Sequence, residues 1–300
     1  MKERAVLRVV LAACLLGTSV ACDTEDTPSD TGMLDAPRTD VPRIDGAMEA
    51  DVPTRETDAP SDDTGAPPEG CEGRTALFCE DFEALPMGEA ISARWMNETR
   101  NGSLTIDGEQ ARGAHALHVH TDDNGTAFLR IPFTPPDNSH FGRMWLYVNA
   151  FPSAPDWAHY TLVQGSGTGG GVIRPVGGQF APAGGSRTAG AYWGIGSDGG
   201  PTGDWTNWRT TAPSEGGRWS CIEWEMDASD NFIRLTIDGV EREDQTVNTT
   251  MHGGDPVDFV FPTFETLRIG WQLYQAGTTP AGFDLWIDDL VLDTTRVGCD

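Results

Sequence analysis

Trp219-Ser-Cys-Ile-Glu-Trp-Glu-Met226, Asp227-Ala-Ser-Asp-Asn231, Phe232-Ile-Arg-Leu-Thr-Ile237 and Asp238-Gly239 follow one another without a break. The first and third segments alternate with a period of two, so that Glu223 and Glu225 share one face and Ile222, Trp224 and Met226 the other. The second and fourth are turn sequences, and an Asp-Gly pair suits a two-residue hairpin because both positions accept positive φ. Strand, turn, strand, turn is an antiparallel signature. The same signature recurs over the rest of residues 71–300. Strands are expected at Ala76–Phe82, Ala116–His120, Ala127–Phe133, Arg143–Val148, Tyr160–Gln164, Thr266–Leu273 and Phe283–Leu292, besides Trp219–Met226 and Phe232–Ile237. Helical periodicity is nearly absent. Many short strands punctuated by Gly, Pro, Asn and Asp predict an all-β domain, a two-sheet antiparallel sandwich or jelly roll. The Gly-rich region 165–217 is expected to hold long loops around one or two further strands.

The chain upstream of this domain has a different chemistry. Lys2, Arg4 and Arg8 precede an apolar stretch from Val9 to Val20, too short to span a bilayer and suited to a secretory signal peptide over residues 1–21. Ser19-Val20-Ala21-Cys22 then offers Cys22 as a lipidation site, and the same small-x-small letters would also serve ordinary secretion. Residues 22–70 continue as an Asp/Thr/Pro tract without aromatics, the composition of a disordered linker. Asp30, Asp35, Asp40 and Asp45 recur every five residues, which is neither a helical nor a strand period and reads as a self-repelling spacer. The expected organisation is a signal peptide, a tether and a jelly-roll domain at 71–300, held at a bacterial cell envelope by its lipid or released by secretion. Contact with a membrane is expected through that anchor only, and the domain is expected to be monomeric.

Charge excludes some partners. The tract from Asp23 to Gly70 carries 14 acids and 3 bases, and the domain keeps about −17 of the total −26. No nucleic-acid partner is expected on such a surface, and an anionic polymer would need a local basic cleft. All ten tryptophans lie in the domain, as do Cys71, Cys79, Cys221 and Cys299. An even cysteine count in an exported chain predicts two disulfides, with three possible pairings. Cys71 and Cys299 bracket the domain, so a bridge is expected to pin its ends.

Three segments carry a family resemblance: an opening Asp81-Phe-Glu83, Gly113 to Val119 with the pattern Gly-x-x-Ala-Leu-x-Val, and a closing Ile287-Asp-Asp-Leu-Val-Leu292. Together with Gly142-Arg-Met-Trp-Leu-Tyr147 and Trp219-Ser-Cys-Ile-Glu-Trp224, they resemble the fungal Cip1-like group, which is similar to glucuronan lyases and has a concanavalin A-like fold. Calcium-binding carbohydrate modules share the opening and closing motifs. The resemblance spans about Ala76 to Asp293. It implies a polysaccharide partner and a structural Ca2+ joining the first and last strands, with Glu83 and Asp289 as ligands and Asp288 as the alternate carboxylate. Hard cations of this kind take six to eight oxygen ligands.

Two strands offer faces suited to sugar. Arg143, Trp145 and Tyr147 alternate against Met144, Leu146 and Val148, and aromatic rings stack on pyranose faces while a guanidinium donates paired hydrogen bonds. Arg268, Gln272 and Tyr274 alternate likewise against Leu267, Ile269, Trp271 and Leu273. Uronate β-elimination needs a group that neutralises the substrate carboxylate and another that moves a proton. Arg143 and Gln164 are the candidates for the first role, and Tyr147, Tyr274 or His159 for the second. Trp205 and Trp208 stand either as a stacking platform at a groove rim or as the plug of a loop core. Glu223 and Glu225, side by side on a strand face, would be the hydrolase pair. The readings are therefore a surface polysaccharide lyase, a carbohydrate-binding module without turnover, and a structural surface lipoprotein.

Overall fold

The computed structural model describes residues 70–153, 157–248, 251–252 (backbone only), 259–274 and 282–299. The expected leader, Cys22 and nearly all of the acidic tract lie outside the described residues. Among the described residues, sixteen antiparallel strands make up the domain. They are β1 (Phe78–Glu80), β2 (Gly88–Glu89), β3 (Met96–Asp107), β4 (Ala116–Pro132), β5 (Ser139–Val148), β6 (Ala158–Thr168), β7 (Val172–Ala181) and β8 (Gly190–Asp198). There follow β9 (Trp205–Pro213), β10 (Trp219–Asp227), β11 (Phe232–Ile237), β12 (Val240–Glu241), β13 (Val247–Asn248), β14 (Met251–His252), β15 (Thr263–Tyr274) and β16 (Phe283–Asp293). The only helical turns among the described residues are 3-10 turns at Pro136–Asn138 and Glu243–Gln245, so no described helix is long and apolar enough to cross a membrane.

The hydrogen-bonded order is β14-β13-β11-β10-β5-β16-β4-β15-β6-β7-β8-β9. This single path curls into two layers because β4 belongs to both. Its first half pairs with β16 through Leu117 to Thr121, and its second half pairs with β15 through Thr126 to Pro132. The first layer is β10, β5, β16 and their neighbours; the second is β15 and β6 to β9. The expected strands Ala116–His120 and Ala127–Phe133 are thus one bent strand. The bend sits at Asp122 to Gly125, with Asp123 at φ +51°, where β4 inserts these residues opposite Asn101 of β3. A Cβ on Gly102 would lie 2.5 Å from the His120 carbonyl, so only glycine lets the strands come that close.

Between the layers lies one apolar core. Met144, Leu146, Ile222, Trp224 and Ile287 of the first layer join Leu162, Val163, Ile269, Trp271 and Leu273 of the second in a single cluster. Trp271 stacks on Tyr160 with ring centroids 5.2 Å apart, and Trp224 Nε1 donates to His140 Nε2 at 3.3 Å. Burial holds the His140 imidazole down at about 3, which keeps it neutral in the fold. The two hairpins read from sequence are present: β10 turns into β11 at Asn231 (φ +51°), and Asp238 and Gly239 both take positive φ between β11 and β12.

The Gly-rich region holds more order than expected. It supplies the end of β6 and all of β7, β8 and β9. Glycine hides the alternation there because the second layer needs backbone to approach backbone: a Cβ on Gly178 would meet the Tyr192 carbonyl at 2.1 Å. The cysteines pair as Cys71–Cys79 and Cys221–Cys299. Each end of the domain is pinned to its own strand, β1 or β10, and no bridge joins the two ends. Two bridges of this kind belong to a chain that folds in an oxidising environment.

Candidate functional site

Cross-strand partners share a face of a sheet, so strand registers place the candidate residues. On the outer face of the second layer one row runs Tyr274, His159, Gln179, Tyr192 across β15, β6, β7 and β8. The next runs Gln272, Thr161, Gly177, Gly194, Trp208, and beyond it Arg268 sits opposite Gln164. Where the middle row has Gly177 and Gly194 it has no side chains, and this leaves a shallow trough between the flanking rows, with a cavity of about 10 Å³ beside Thr161 and Arg174.

The polar groups of the trough are nearly buried although they lie on an outward face. Gln164, Arg174, Gln179 and Thr161 are all at most 6% exposed. His159 Nε2 lies 2.7 Å from Gln179 Oε1, and its ring is 5.3 Å from that of Tyr274. Because an amide oxygen only accepts, Nε2 carries the proton and Nδ1 is the basic nitrogen of the ring. Arg268 donates to Gln164 Oε1 at 3.2 Å and forks onto Glu98, with both nitrogen–oxygen distances 3.0 Å. Arg174 reaches Asp198 at 3.2 Å and lies 5.5 Å over the Tyr274 ring. Burial pushes the Arg174 guanidinium down and the Asp198 carboxyl up, while their mutual attraction opposes both shifts. Thr161 Oγ1 and Arg174 Nε are buried with no hydrogen-bond partner among the described residues. Orphaned buried polar atoms are rare in folded proteins and call for a ligand or water.

The rim of the trough is aromatic. Trp208 packs against Trp157 and Tyr192, at 5.8 and 5.7 Å, with the Arg187 guanidinium over both tryptophans. Trp157 is 42% exposed. Trp205 points the other way and packs on Phe259 at the margin of the core. Of the two tryptophans, Trp208 is therefore the rim residue and Trp205 the plug.

Arg143, Trp145 and Tyr147 lie elsewhere. They occupy the outer face of the first layer, and the core separates them from Gln164 and His159. The expected convergence of Arg143 and Tyr147 with Gln164 does not occur, because strand alternation points the two sets to opposite sides of the sandwich. What surrounds them also differs. Arg112 stacks on Trp145 at 3.7 Å, and Tyr147 is wedged between Trp219 and Trp286, each 5.8 Å away. Arg143 is 4% exposed and feels the carboxylates of Asp289 and Glu223. Glu223 is held by Arg296 and by the Gly298 N–H of the C-terminal segment, and Glu225 by Arg234. Both acids are ion-paired and buried.

The carboxylates proposed for Ca2+ gather at one end of this face. β1 pairs with β16, which brings Asp81 and Glu83 beside Asp288 and Asp289 around a cavity of about 550 Å³. A bulge in β16 between Asp288 and Val291, with Asp289 at φ +48°, turns both aspartates toward it. Glu83 Oε1 accepts the N–H groups of Ala114 and His115, and Asp288 Oδ2 that of Arg112. Burial pushes the Asp288 carboxyl up to about 7, the N–H donors of Arg112 and Asp289 oppose the shift, and the charges of Asp289 and Glu83 add to it. Arg112 Nε, 3.1 Å from Asp289, is the cation paired there. Asp81, Glu83, Asp288 and Asp289 line the cavity with the Arg112 guanidinium among them, so a cation held there would compete with Arg112 for Asp289.

The sequence reading did not reach Thr161, Arg174 or Gln179. Thr161 stands beside the expected Tyr160 and Leu162, but Arg174 and Gln179 sit among glycines where no alternation shows.

Comparison with known proteins speaks to the fold. No protein-family profile and no curated protein matches the chain in sequence. Among solved structures, the cellulose-induced protein Cip1 superposes with a TM-score of 0.54 at 16% identity, over 74% of this chain and 99% of that one. The chain is Cip1-like in fold. Also similar is a structure described with endo-acting O-glycanases of the human gut microbiota that initiate mucin breakdown, with a TM-score of 0.48 and 11% identity over 73% of this chain and 99% of that one. A sialidase matches with a TM-score of 0.41 and 13% identity over 67% of this chain, which spans only 17% of that enzyme.

Proposed function

We propose that the domain binds a polysaccharide in the trough of the second layer and cleaves uronate-containing chains there by β-elimination. The observation that carries this reading is that His159, Gln164, Arg268 and Tyr274 lie together on one face beside buried polar atoms without partners. β-Elimination removes the proton α to the uronate carboxylate and expels the glycosidic oxygen from the β carbon, leaving a ring double bond. The Gln164 amide and the Arg268 guanidinium would hold the carboxylate and lower the cost of the developing carbanion. The Tyr274 hydroxyl or His159 Nδ1 would take the proton and return it to the leaving oxygen. Trp208 and Trp157 would stack on sugar rings at the rim. Support from the solved structures extends to the fold.

A second reading has its own observation. Arg268 is already forked onto Glu98 and Arg174 is paired with Asp198, so neither brings unmatched positive charge to an acidic domain. That favours a neutral glycan held without turnover. A panel of uronate-containing and neutral glycans separates the two. An ultraviolet rise from unsaturated uronates is expected on at least one member; retained binding with no rise leaves the second reading, and no binding to any member overturns both.

The acidic cavity would hold a structural Ca2+ through Glu83, Asp288 and Asp289, with the turn Arg112–His115 beside it. Chelator should lower the melting temperature of a Ca2+-loaded sample, and an unchanged melting curve counts against that site. Anchoring at a bacterial surface through Cys22 completes the proposal; the mass of the mature N-terminal peptide tests it directly.

A further inference from the structure

A separate polar cluster crosses the outer face of the first layer where β3, β4 and β16 lie side by side. His118 projects there opposite Thr105 of β3 and Trp286 of β16. Its Nδ1 is 2.7 Å from Asp107 Oδ2, and its Nε2 is 2.9 Å from Asp284 Oδ1. His120, two residues along the same strand, places Nδ1 2.8 Å from the same Asp284 oxygen. Trp286 stacks on the His118 ring at 4.3 Å, nearly parallel at 18°, and its Nε1–H donates to Asp107 Oδ1 at 3.0 Å. That oxygen also accepts the Glu109 N–H at 3.1 Å. Asp107 therefore has one oxygen satisfied by N–H donors and the other aimed at a ring nitrogen.

We propose that Asp107, Glu109 and His118 bind a divalent first-row transition ion, with Zn2+ the fitting case. Ligand atoms of these three residues come within reach of one ion. A ring whose two nitrogens both face carboxylates needs either two protons or one proton and a metal ion. With Nε2–H donated to Asp284, the Nδ1 lone pair faces Asp107 Oδ2, and a Glu109 carboxylate oxygen lies within 4.8 Å of both ligand atoms. Asp284 then plays the outer carboxylate that fixes the tautomer of a metal-bound histidine, and His120 in turn fixes Asp284. An imidazole ligand selects zinc, copper or nickel over the hard cations suited to the all-oxygen cluster around Asp288. Three protein ligands leave a fourth position for water, on a side open to solvent through the exposed Glu109. The ion would clip the end of β3 to β4 across the turn at 108–115.

Calorimetric titration of Zn2+ into the full chain, with excess Ca2+ present, tests the site. One ion per chain is expected at micromolar Kd. His118→Gln and Glu109→Gln should each weaken binding at least about tenfold, and Asp284→Asn by about 10- to 100-fold. Glu109 is exposed, so its variant should keep the melting temperature and separates ligand loss from misfolding. Zinc binding left unchanged by Glu109→Gln and His118→Gln, or absent at millimolar Zn2+, overturns the proposal.

Discussion

The two outer faces of the sandwich look alike in sequence and differ in what surrounds them. Both alternate arginine and aromatics against an apolar core face. On the first layer most polar groups find partners: Arg112 covers Trp145, Arg296 holds Glu223, and Trp219 and Trp286 enclose Tyr147, while Arg143 Nε is buried without a hydrogen-bond partner among the described residues. On the second layer the glycines at 177 and 194 leave a trough, and Thr161 Oγ1 and Arg174 Nε remain unpaired among the described residues. Composition of a face does not make it a binding site. Unsatisfied buried polar atoms on a face are a further indicator, because burying them without a partner costs about 1–3 kcal/mol each.

The sharpest way to break this contrast is to mutate one proton-moving candidate on each face. Tyr274→Phe should reduce glycan cleavage by about 10²- to 10⁴-fold with an unchanged melting temperature, whereas Tyr147→Phe should leave turnover as it was. Equal losses in the two variants would return the active face to the first layer. Next in size, removing the bridge Cys221–Cys299, which closes a span of 78 residues, should cost about 4 kcal/mol in denaturant melts, against about 2.5 for Cys71–Cys79 with a span of 8. Arg143→Met should move stability by less than about 2 kcal/mol in the same melts, since burial disfavours the cation that Asp289 and Glu223 attract, with activity per folded molecule retained.

A smaller effect concerns the core between the faces. His140 titrates near 3 in the fold and near its ordinary 6.5 when unfolded. Between those values the unfolded chain binds one more proton, so stability falls as pH drops below about 6.5, by up to about 1.4 kcal/mol per pH unit. Urea melts across this range should show that slope, and His140→Gln should flatten it. Smallest, Trp208→Ala should weaken glycan binding by about 1 kcal/mol, while Trp145→Ala should not change it.

Legibility followed the side chains. The strands β5, β10, β11, β15 and β16 were readable because apolar residues at every second position must face a core, and the Asp238-Gly239 hairpin because its backbone demands positive φ. β3 was missed since its first half, Met96 to Ser103, has no buried residue. β7, β8 and β9 were foreseen only as one or two unplaced strands, since in β7 and β8 Gly177, Gly178 and Gly194 replace the side chains that would show a period. Those glycines make the trough. The residues that define the candidate site best, Arg174 and Gln179, were therefore the least visible.

By itself the sequence determined an all-β domain, its even number of cysteines, its acidic charge and the alternation that divides each strand into a core face and an outer face. It also supplied Gln164, His159, Arg268 and Tyr274 as candidates. Only the tertiary structure decided that these four stand together while Arg143 and Tyr147 do not. The reason is physical: alternation fixes the two sides of each strand, but which outer sides meet depends on the order of strands and on β4 bending from one layer into the other. Side chains distant in sequence acquire a common environment only when the sheet curls.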